Sequence, residues 1–395
     1  MKDTFIPLSV PNLKGNELKY VTEAVKTEWV STAGPYVNAF EDKIAAYVHA
    51  TGAVSCQNGT AGLHTALLTA GVTCEDAVIV PTLTFIAAVN PVKYIGASPI
   101  FMDCDDSLCM DPEKLEAYCR EECDWKDGKL TDRASGRPVK ALVVVHVFGN
   151  MADMERIMPV AEKYHLTVIE DATEAIGTYY TAGEYKGKYA GTIGHMGVYS
   201  FNGNKIITTG GGGMLVSDNE EYLACAKHLT TQAKSDELYY MHDTIGYNYR
   251  MTNLQAALGL AQLEQLEAFI EVKCRNYGHY CEQFNTMEGV RLLPFREGTR
   301  SNHWFYALYC DGKTYNRDRM IAYLKENKIQ SRPIWGLIHK QKPYEGSYAY
   351  KIEKAKGYWE RVVNIPCSTN LTFDDIEIVV TTIKRQAEAT GRKEK

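Results

Sequence analysis

The most informative stretch of this chain is SFNGNKIITTGGGG, residues 200–213. The apolar run from Gly197 to Phe201 predicts a strand that delivers Lys205 to a loop. Four glycines follow, and without a Cβ they let the backbone pass close to a bulky neighbour. Desolvation at such a place favours the neutral amine, the form of lysine that condenses with a carbonyl group to give an imine. The alternative is a surface lysine beside a flexible turn.

Upstream of this stretch, short apolar runs alternate with segments of helical length. This alternation is typical of βαβ units around a mainly parallel sheet, so we predict an α/β fold. The predicted strands are Ala53 to Cys56, Ala77 to Val80, Pro99 to Met102, Ala141 to Val147, Leu166 to Ile169 and Gly197 to Phe201. The predicted helices between them include Thr60 to Leu68, Pro112 to Arg120 and Met154 to Tyr164.

Two further segments follow predicted strands, at the edge of the sheet where ligands of such folds bind. Asp171 comes after the strand that ends at Ile169, and a carboxylate there can keep the nitrogen of a pyridine ring protonated, as pyridoxal phosphate requires. The alternative is a helix N-cap, a common role for Asp after a strand. The turn 58–62 precedes a helix whose N-terminus can hold a phosphate, with the Ser200 hydroxyl nearby.

The length of 395 residues favours two packed lobes. Apolar positions spaced by three and four residues from Leu263 to Phe284 predict a long helix that bridges them. We therefore predict a large α/β domain over 1–264 and a smaller α+β domain over 265–395. The N-terminal segment can pack against the small domain.

Composition excludes several classes of function. The net charge of -6 and the scattered basic residues do not favour nucleic-acid binding. No stretch is apolar enough to span a membrane. Eleven cysteines, an odd number in a long chain, suit a reducing cytoplasm. The spacing of Cys104, Cys109, Cys119 and Cys123 is at the loose end of that of zinc sites, but their predicted positions beside a strand and on a helix favour buried thiols, and we expect no metal.

Taken together, the motifs resemble the DegT/DnrJ/EryC/StrS group of sugar aminotransferases, which are fold-type I pyridoxal phosphate enzymes. The resemblance runs from about Ile6 to about Ile383. The motifs that carry it, in chain order, are Phe40-Glu41, Asn58-Gly59-Thr60, Pro81-Thr82-Leu83-Thr84-Phe85, Val145-His146-Val147-Phe148-Gly149, Glu170-Asp171-Ala172, residues 200–213 and Gly246-Tyr247-Asn248-Tyr249-Arg250-Met251. The fold implied is a large domain with a seven-stranded type of sheet and a small C-terminal domain.

The resemblance also implies a role for each matching residue. Lys205 would bind pyridoxal phosphate as a Schiff base and act as the catalytic acid and base, while Asp171 would bind the ring nitrogen. Phe85 would stack on the ring, and Glu174 would lie near its phenolic oxygen. Gly59, Thr60 and Ser200 would hold the phosphate. Asn248 would reach the phosphate of a neighbouring subunit, which makes the enzyme a homodimer with shared active sites.

Two departures from the family pattern indicate a particular branch. The chain has Gly210-Gly211-Gly212-Gly213 where Gly-Glu-Gly-Gly is common, and Asn202-Gly203-Asn204 where a His-containing run is common. With Pro7-Leu8-Ser9-Val10-Pro11, these residues are similar to aminotransferases of the legionaminic acid and bacillosamine pathways. The implied reaction moves the amino group of L-glutamate to C4 of a UDP-linked 2-acetamido-2,6-dideoxy-4-hexulose.

Other functions remain open at this point. The nearest alternative substrate is GDP-4-keto-6-deoxymannose, the precursor of GDP-perosamine. Sugar dehydration is a rival activity, although relatives with that activity replace the lysine. A non-catalytic regulator or binding protein is a rival of another class. Candidate substrate contacts are His146, Gln232, His242, His303 and Arg332, each with a structural role as its alternative.

Overall fold

The computed structural model describes residues 5–236 and 238–391. Its α-helices are α1 (Glu17–Lys26), α2 (Pro35–Val48), α3 (Gly59–Thr69), α4 (Asn90–Ile95), α5 (Pro112–Glu121), α6 (Met154–Lys163), α7 (Glu220–Thr230), α8 (Asn253–Leu263), α9 (Leu266–Phe284), α10 (Arg317–Glu326), α11 (Lys354–Arg361) and α12 (Phe373–Gly391). No helix within the described part of the chain is long and apolar enough to cross a membrane.

The strands differ in length from two to seven residues, and Val139–Val145 is the longest. They are β1 (Gly52–Cys56), β2 (Ala77–Pro81), β3 (Ser98–Met102), β4 (Cys123–Lys126), β5 (Lys129–Asp132), β6 (Val139–Val145), β7 (Thr167–Asp171), β8 (Tyr179–Tyr180), β9 (Met196–Ser200), β10 (Gly213–Ser217), β11 (Lys234–Asp236), β12 (Met241–His242), β13 (Val290–Leu292), β14 (Thr299–Arg300), β15 (Tyr306–Cys310), β16 (Arg332–Pro333), β17 (Ala349–Tyr350) and β18 (Val362–Ile365).

The large sheet has eight strands in the order β1-β10-β9-β7-β6-β2-β3-β17. All neighbouring pairs from β9 to β17 are parallel, and β10 runs antiparallel to β1 and β9. Strands β2, β9 and β10 are buried along their whole length, as expected where helices cover both faces of a sheet. The predicted α/β fold with a mainly parallel sheet is therefore confirmed.

A second sheet, of four antiparallel strands in the order β13-β15-β18-β16, lies in the C-terminal third. Helices α9 and α10 pack against it, and α12 packs on these two helices. The long helix predicted from Leu263 to Phe284 is present as α9, which begins at Leu266 because α8 ends at Leu263.

Segments on each side of the predicted domain boundary form hydrogen bonds with the other side. From the N-terminal side, the Ile6 N–H donates to the Lys328 carbonyl (2.9 Å). From the C-terminal side, β17 adds an eighth strand beside β3, one more than the seven-stranded type implies. Both ends of the chain therefore contribute to how the two sheets are held together.

Candidate functional site

A cleft of about 620 Å³ lies between the large sheet and the C-terminal third of the chain. One wall carries residues that follow β1, β2, β7 and β9, because the carboxyl ends of these co-directed strands meet at one edge of the sheet. The opposite wall includes Trp304, Phe305, Arg332 and Trp335. Ligands of open α/β sheets bind at this type of edge, so we take the cleft as the candidate site.

Lys205 projects into this cleft from a loop that is closed at its base. The Thr209 N–H and the Thr208 hydroxyl both donate to the Phe201 carbonyl, at 2.8 and 3.1 Å. The Lys205 side chain is 12% exposed, and its Nζ lies 3.6 Å from Glu174 Oε1. The same nitrogen lies 4.1 Å from the centre of the Trp304 ring. The lysine is therefore held inside the site and does not lie on the open surface.

Two buried carboxylates lie close to this lysine. Burial raises the pKa of Asp171, although hydrogen bonds from Thr173 and the charge of Lys205 oppose the rise. Burial also raises the pKa of Glu174 to about 7, opposed by Lys205 and by the Phe148 N–H, which donates to Glu174 Oε2 (2.7 Å). For both carboxylates, the hydrogen bonds and the charge of Lys205 do not fully offset the cost of burying a negative charge. A protonated ring nitrogen beside Asp171 would stabilise the charge of that carboxylate.

The N-cap alternative for Asp171 does not apply, because turns follow β7 at residues 173–174 and 176–177. The Thr173 N–H donates to Asp171 Oδ1 (3.1 Å), which fixes the carboxylate at the end of the strand. The side chain is 3% exposed and still lines the cleft.

The N-terminus of α3 forms the other end of the cleft. The Asn58 side chain caps the helix by accepting from the Ala61 N–H (2.8 Å), so the first N–H groups, at residues 59 and 60, are left for another acceptor. A Cβ on Gly59 would lie 3.0 Å from Ser200 Cβ and 3.0 Å from Thr173 Cγ2. A side chain at residue 59 would therefore be crowded, whereas glycine leaves the helix end open to the cleft, and that end favours negative charge.

Three of the four glycines have local reasons for their identity. A Cβ on Gly213 would lie 2.7 Å from the backbone carbon of Asn58, and one on Gly212 would lie 2.2 Å from Thr209 Oγ1. Gly210 has a φ of +78°, and nothing lies within 4 Å of its Cβ position. The bulky neighbour that the sequence predicted is therefore the chain itself, in the turn that precedes α3.

The sequence matches the model of the DegT/DnrJ/EryC1/StrS aminotransferase family over residues 11–384. The chain belongs to this family. Members of the DegT/DnrJ/EryC1/StrS family that act on sugars transfer amino groups with pyridoxal phosphate, so this chain is a pyridoxal phosphate-dependent sugar aminotransferase. The resemblance stated from the motifs is confirmed, and the chemistry of Lys205, Asp171 and the α3 N-terminus fits that cofactor.

Named relatives extend this picture. GDP-perosamine synthase from Escherichia coli O157:H7 is 36% identical over 373 residues, covering 94% of this chain and 96% of the relative. The enzyme of the same name from Caulobacter vibrioides is 36% identical over 379 residues, covering 95% and 96%. A solved aminotransferase of the family from Brucella abortus superimposes with a TM-score of 0.84 at 28% identity, covering 94% of this chain and 95% of that chain.

Most residues to which the DegT/DnrJ/EryC1/StrS motifs assign a cofactor contact line the cleft. They are Gly59, Thr60, Phe85, Asp171, Glu174, Ser200 and Lys205. Phe85 is 54% exposed at the edge of the cleft, with an open face for a planar ring. Asn248 is exposed and does not line the cleft of its own chain, and its backbone bridges to Thr231.

Of the predicted substrate contacts, Arg332 alone lines the cleft. His146 is fully buried, where its Nε2 donates to Glu170 (2.8 Å) and its Nδ1 accepts from the Ala152 N–H (3.1 Å). Both ring nitrogens are thus used inside the protein, and the prediction of a substrate contact for His146 is corrected to a structural role.

His303 and the pair Gln232 and His242 also lie outside this cleft. The His303 ring packs against Phe295 and Tyr277, and burial lowers its pKa to about 4, so it is a neutral structural group. Gln232 and His242 are exposed, and the His242 ring lies 2.7 Å from the Gln232 carbonyl. These positions do not support a substrate contact within the same chain for His303, Gln232 or His242.

The sequence interpretation missed the aromatic wall of the cleft. The Trp304 indole N–H donates to the Asn204 carbonyl (2.8 Å), one residue before the lysine, and its ring stacks on Phe305 at 4.0 Å. Phe148 and Trp335 pack together at 4.7 Å. Trp304 begins a run read as a strand, so the apolar pattern indicated core packing and gave no sign that the ring faces the lysine.

Proposed function

We propose that this enzyme transfers the amino group of L-glutamate to C4 of a nucleotide-linked 4-keto-6-deoxy sugar, with UDP-2-acetamido-2,6-dideoxy-4-hexulose as the first candidate. The observation that supports it most is the position of Lys205, whose side chain is 12% exposed in a cleft that Asp171 and the N-terminus of α3 also line. The preference for UDP comes from the departures around Asn202 and Gly210. The product would be a UDP-4-amino-4,6-dideoxy-N-acetylglucosamine.

Each of these residues of the cleft has its own role in the proposed reaction. When bound, pyridoxal phosphate supplies a ring that accepts electrons from the substrate carbon. Lys205 would carry the proton between the substrate carbon and the cofactor carbon as general acid and base. Asp171 would hold the proton on the ring nitrogen, and Gly59 and Ser200 would hold the phosphate at the start of α3. The aromatic wall at Trp304 keeps water from the lysine.

Arg332 is suited to the anionic parts of the substrates. It is exposed at the cleft, opposite the residues that would hold the cofactor. The diphosphate of a nucleotide sugar and the side-chain carboxylate of glutamate both offer oxygens that a guanidinium binds in a bidentate manner. We therefore assign Arg332 to substrate binding.

A second candidate substrate is GDP-4-keto-6-deoxymannose. It is favoured by the relatives named GDP-perosamine synthase, at 33–36% identity over nearly the whole chain. The purified enzyme should be assayed with glutamate against the UDP-linked and the GDP-linked 4-keto sugars in parallel. A higher kcat/KM with the UDP sugar supports the first candidate, and the reverse result replaces it with the second.

The other two rivals are separated by simpler measurements. Glutamate should shift the absorption band of the bound cofactor, because the first half of the reaction needs no sugar. A band that glutamate leaves unchanged would favour a non-catalytic protein. Loss of a hydroxyl from the sugar without amino transfer would favour dehydration.

We also propose a cytoplasmic homodimer in which Asn248 of one subunit contacts the phosphate held by the other. Asn248 lies outside its own cleft, on a segment that follows an exposed apolar loop. In that loop Leu238, Tyr239, Tyr240, Met241 and Ile245 are between 59% and 81% exposed. Exposed apolar patches of this kind mark protein interfaces.

All eleven cysteines are unpaired, in keeping with a reducing compartment. We also propose that the chain has two domains, 1–264 and 265–395.

Subunit exchange tests the shared site. Homodimers of Asn248→Ala and of Lys205→Ala are mixed, after each is shown to be strongly impaired. If the site is shared, one site of the heterodimer collects both lesions and the other has none, so activity recovers toward half of the wild-type value per heterodimer. If one chain supplies both residues, each site keeps one lesion. Exchange verified by mass spectrometry without recovery of activity rejects the shared site.

A further inference from the structure

Glu17 is a buried carboxylate that the reaction does not use directly. It is the first residue of α1 and is 5% exposed. Its Oε1 accepts from Gln262 Nε2 and from Gln265 Nε2, both at 2.6 Å, and its Oε2 accepts from the Gly15 N–H at 2.7 Å. Burial alone would raise the pKa of Glu17, but these hydrogen bonds and one from its own backbone outweigh it and lower the pKa. The carboxylate is therefore ionised at neutral pH.

An ionised carboxylate only accepts hydrogen bonds, and this fixes the orientation of the Gln262 side chain. The Gln262 amide must turn its NH2 group toward Glu17, and the same nitrogen also donates to the Asn12 carbonyl (2.8 Å). Its oxygen then points the opposite way, where it accepts from the Thr208 N–H (3.2 Å). Gln262 is 1% exposed, so solvent does not compete for either end of the amide.

Thr208 belongs to the loop that carries Lys205. Its hydroxyl donates to the Phe201 carbonyl and accepts from the Gly210 N–H (2.9 Å), so this residue joins the two ends of the loop. A change in the orientation of the Gln262 amide would place an NH2 group against the Thr208 N–H. Two donors would then face each other in a buried space, and the Thr208 N–H would lose its acceptor.

We propose that Glu17 is a positioning residue for Lys205: it sets the orientation of the Gln262 amide, and Gln262 holds Thr208 and so the base of the lysine loop. The proposal rests on the role of Lys205 proposed above and extends it to a residue 188 positions away in the chain. A purely structural Glu17 would hold α1 against α8 and leave the loop unchanged.

Hydrogen exchange at the Thr208 amide tests this directly, because it reports the hydrogen bond itself and needs no substrate. Glu17→Gln can present either end of its amide to Gln262, so the Asn12 carbonyl is then the acceptor left to favour the native orientation of the Gln262 NH2 group. We expect Thr208 to exchange roughly two- to tenfold faster in this variant, with or without cofactor. The matched control is Glu264→Gln, at the same α1–α8 contact, where Glu264 binds Asn16 and Tyr20 and not Gln262.

A second variant covers the case in which Glu17→Gln does not fold. Gln262→Ala removes the acceptor for Thr208 while Glu17 keeps its bonds from Gln265 and Gly15, so Thr208 should exchange faster here too.

A further readout concerns the lysine. The pH midpoint at which the absorption band of the bound cofactor changes should move in Glu17→Gln and stay in place in Glu264→Gln, since only the first variant loosens the Lys205 loop. The proposal is overturned if Thr208 exchanges within twofold of the wild-type rate in the folded Glu17→Gln or Gln262→Ala variant. Absence of sugar amination would overturn the proposed function instead, and it leaves the exchange result intact.

Discussion

Replacing Glu174 with Gln tests whether burial controls the charge of the site. Glu174 lies in the cleft with its Oε1 3.6 Å from Lys205 Nζ, and burial raises its pKa from 4.5 to about 7. Gln keeps the size and the oxygen that accepts from the Phe148 N–H, and it removes the titration. The variant therefore isolates the contribution of one buried carboxyl group to the pH dependence of stability.

The sign and size follow from linkage. Below pH 4.5 the carboxyl is protonated in both the folded and the unfolded chain, so it adds no pH dependence. Between pH 4.5 and about 7 the unfolded chain has released the proton that the folded chain still holds, and the wild type loses stability as the pH rises. The rise in pKa corresponds to about 3 kcal/mol over this range. Relative to the wild type, Glu174→Gln should therefore gain about this much stability.

Urea unfolding of the cofactor-free proteins, followed by circular dichroism from about pH 5 to about pH 8, measures this difference. Subtracting wild type from variant at each pH cancels the groups that the two proteins share. Glu28→Gln, at an exposed position, serves as the control. A difference that stays within about 0.5 kcal/mol across the range would refute the raised pKa of Glu174.

Four further substitutions have defined outcomes. Lys205→Ala should lower turnover by roughly two to four orders of magnitude while circular dichroism shows an intact fold, and appreciable residual transamination would contradict the role of the lysine. Asp171→Asn should still bind cofactor in an equilibrium titration but lose most of its kcat, because a neutral amide does not hold the ring proton; near-normal kcat would reduce Asp171 to a structural residue. Gly213→Ala would bring a Cβ to 2.7 Å from the Asn58 backbone and should cost about 1–3 kcal/mol in urea unfolding, whereas Gly210→Ala meets no steric contact and should be affected only through its positive φ.

The parallel core of the fold could be predicted from the sequence because its signal is local. Strand β2 is a continuous apolar run, as expected of a strand covered on both faces. The β17 strand has only two residues, and it pairs with β3 across nearly 250 positions of sequence. A pairing of that kind leaves no periodic pattern, so the eighth strand was not predicted.

In the candidate site too, some residues could be predicted from the sequence and others could not. Lys205 and Asp171 follow strands whose carboxyl ends meet, so their proximity could be inferred from strand order alone. The role of His146 could not, because its partners Glu170 and Ala152 are set by how one strand end packs on the next. The network of Glu17 and Gln262 joins residues far apart in sequence, and only the folded chain brings them together.

The position of β17 also has a consequence for the synthesis of this protein. The outer edge of β3 is covered by residues 349–350, so the sheet is complete only after some nine-tenths of the chain has left the ribosome. Until then β3 presents unpaired N–H and C=O groups, and exposed edges of this kind pair readily with other chains. We expect nascent chains that stop before residue 349 to depend on chaperones and to aggregate when these are absent.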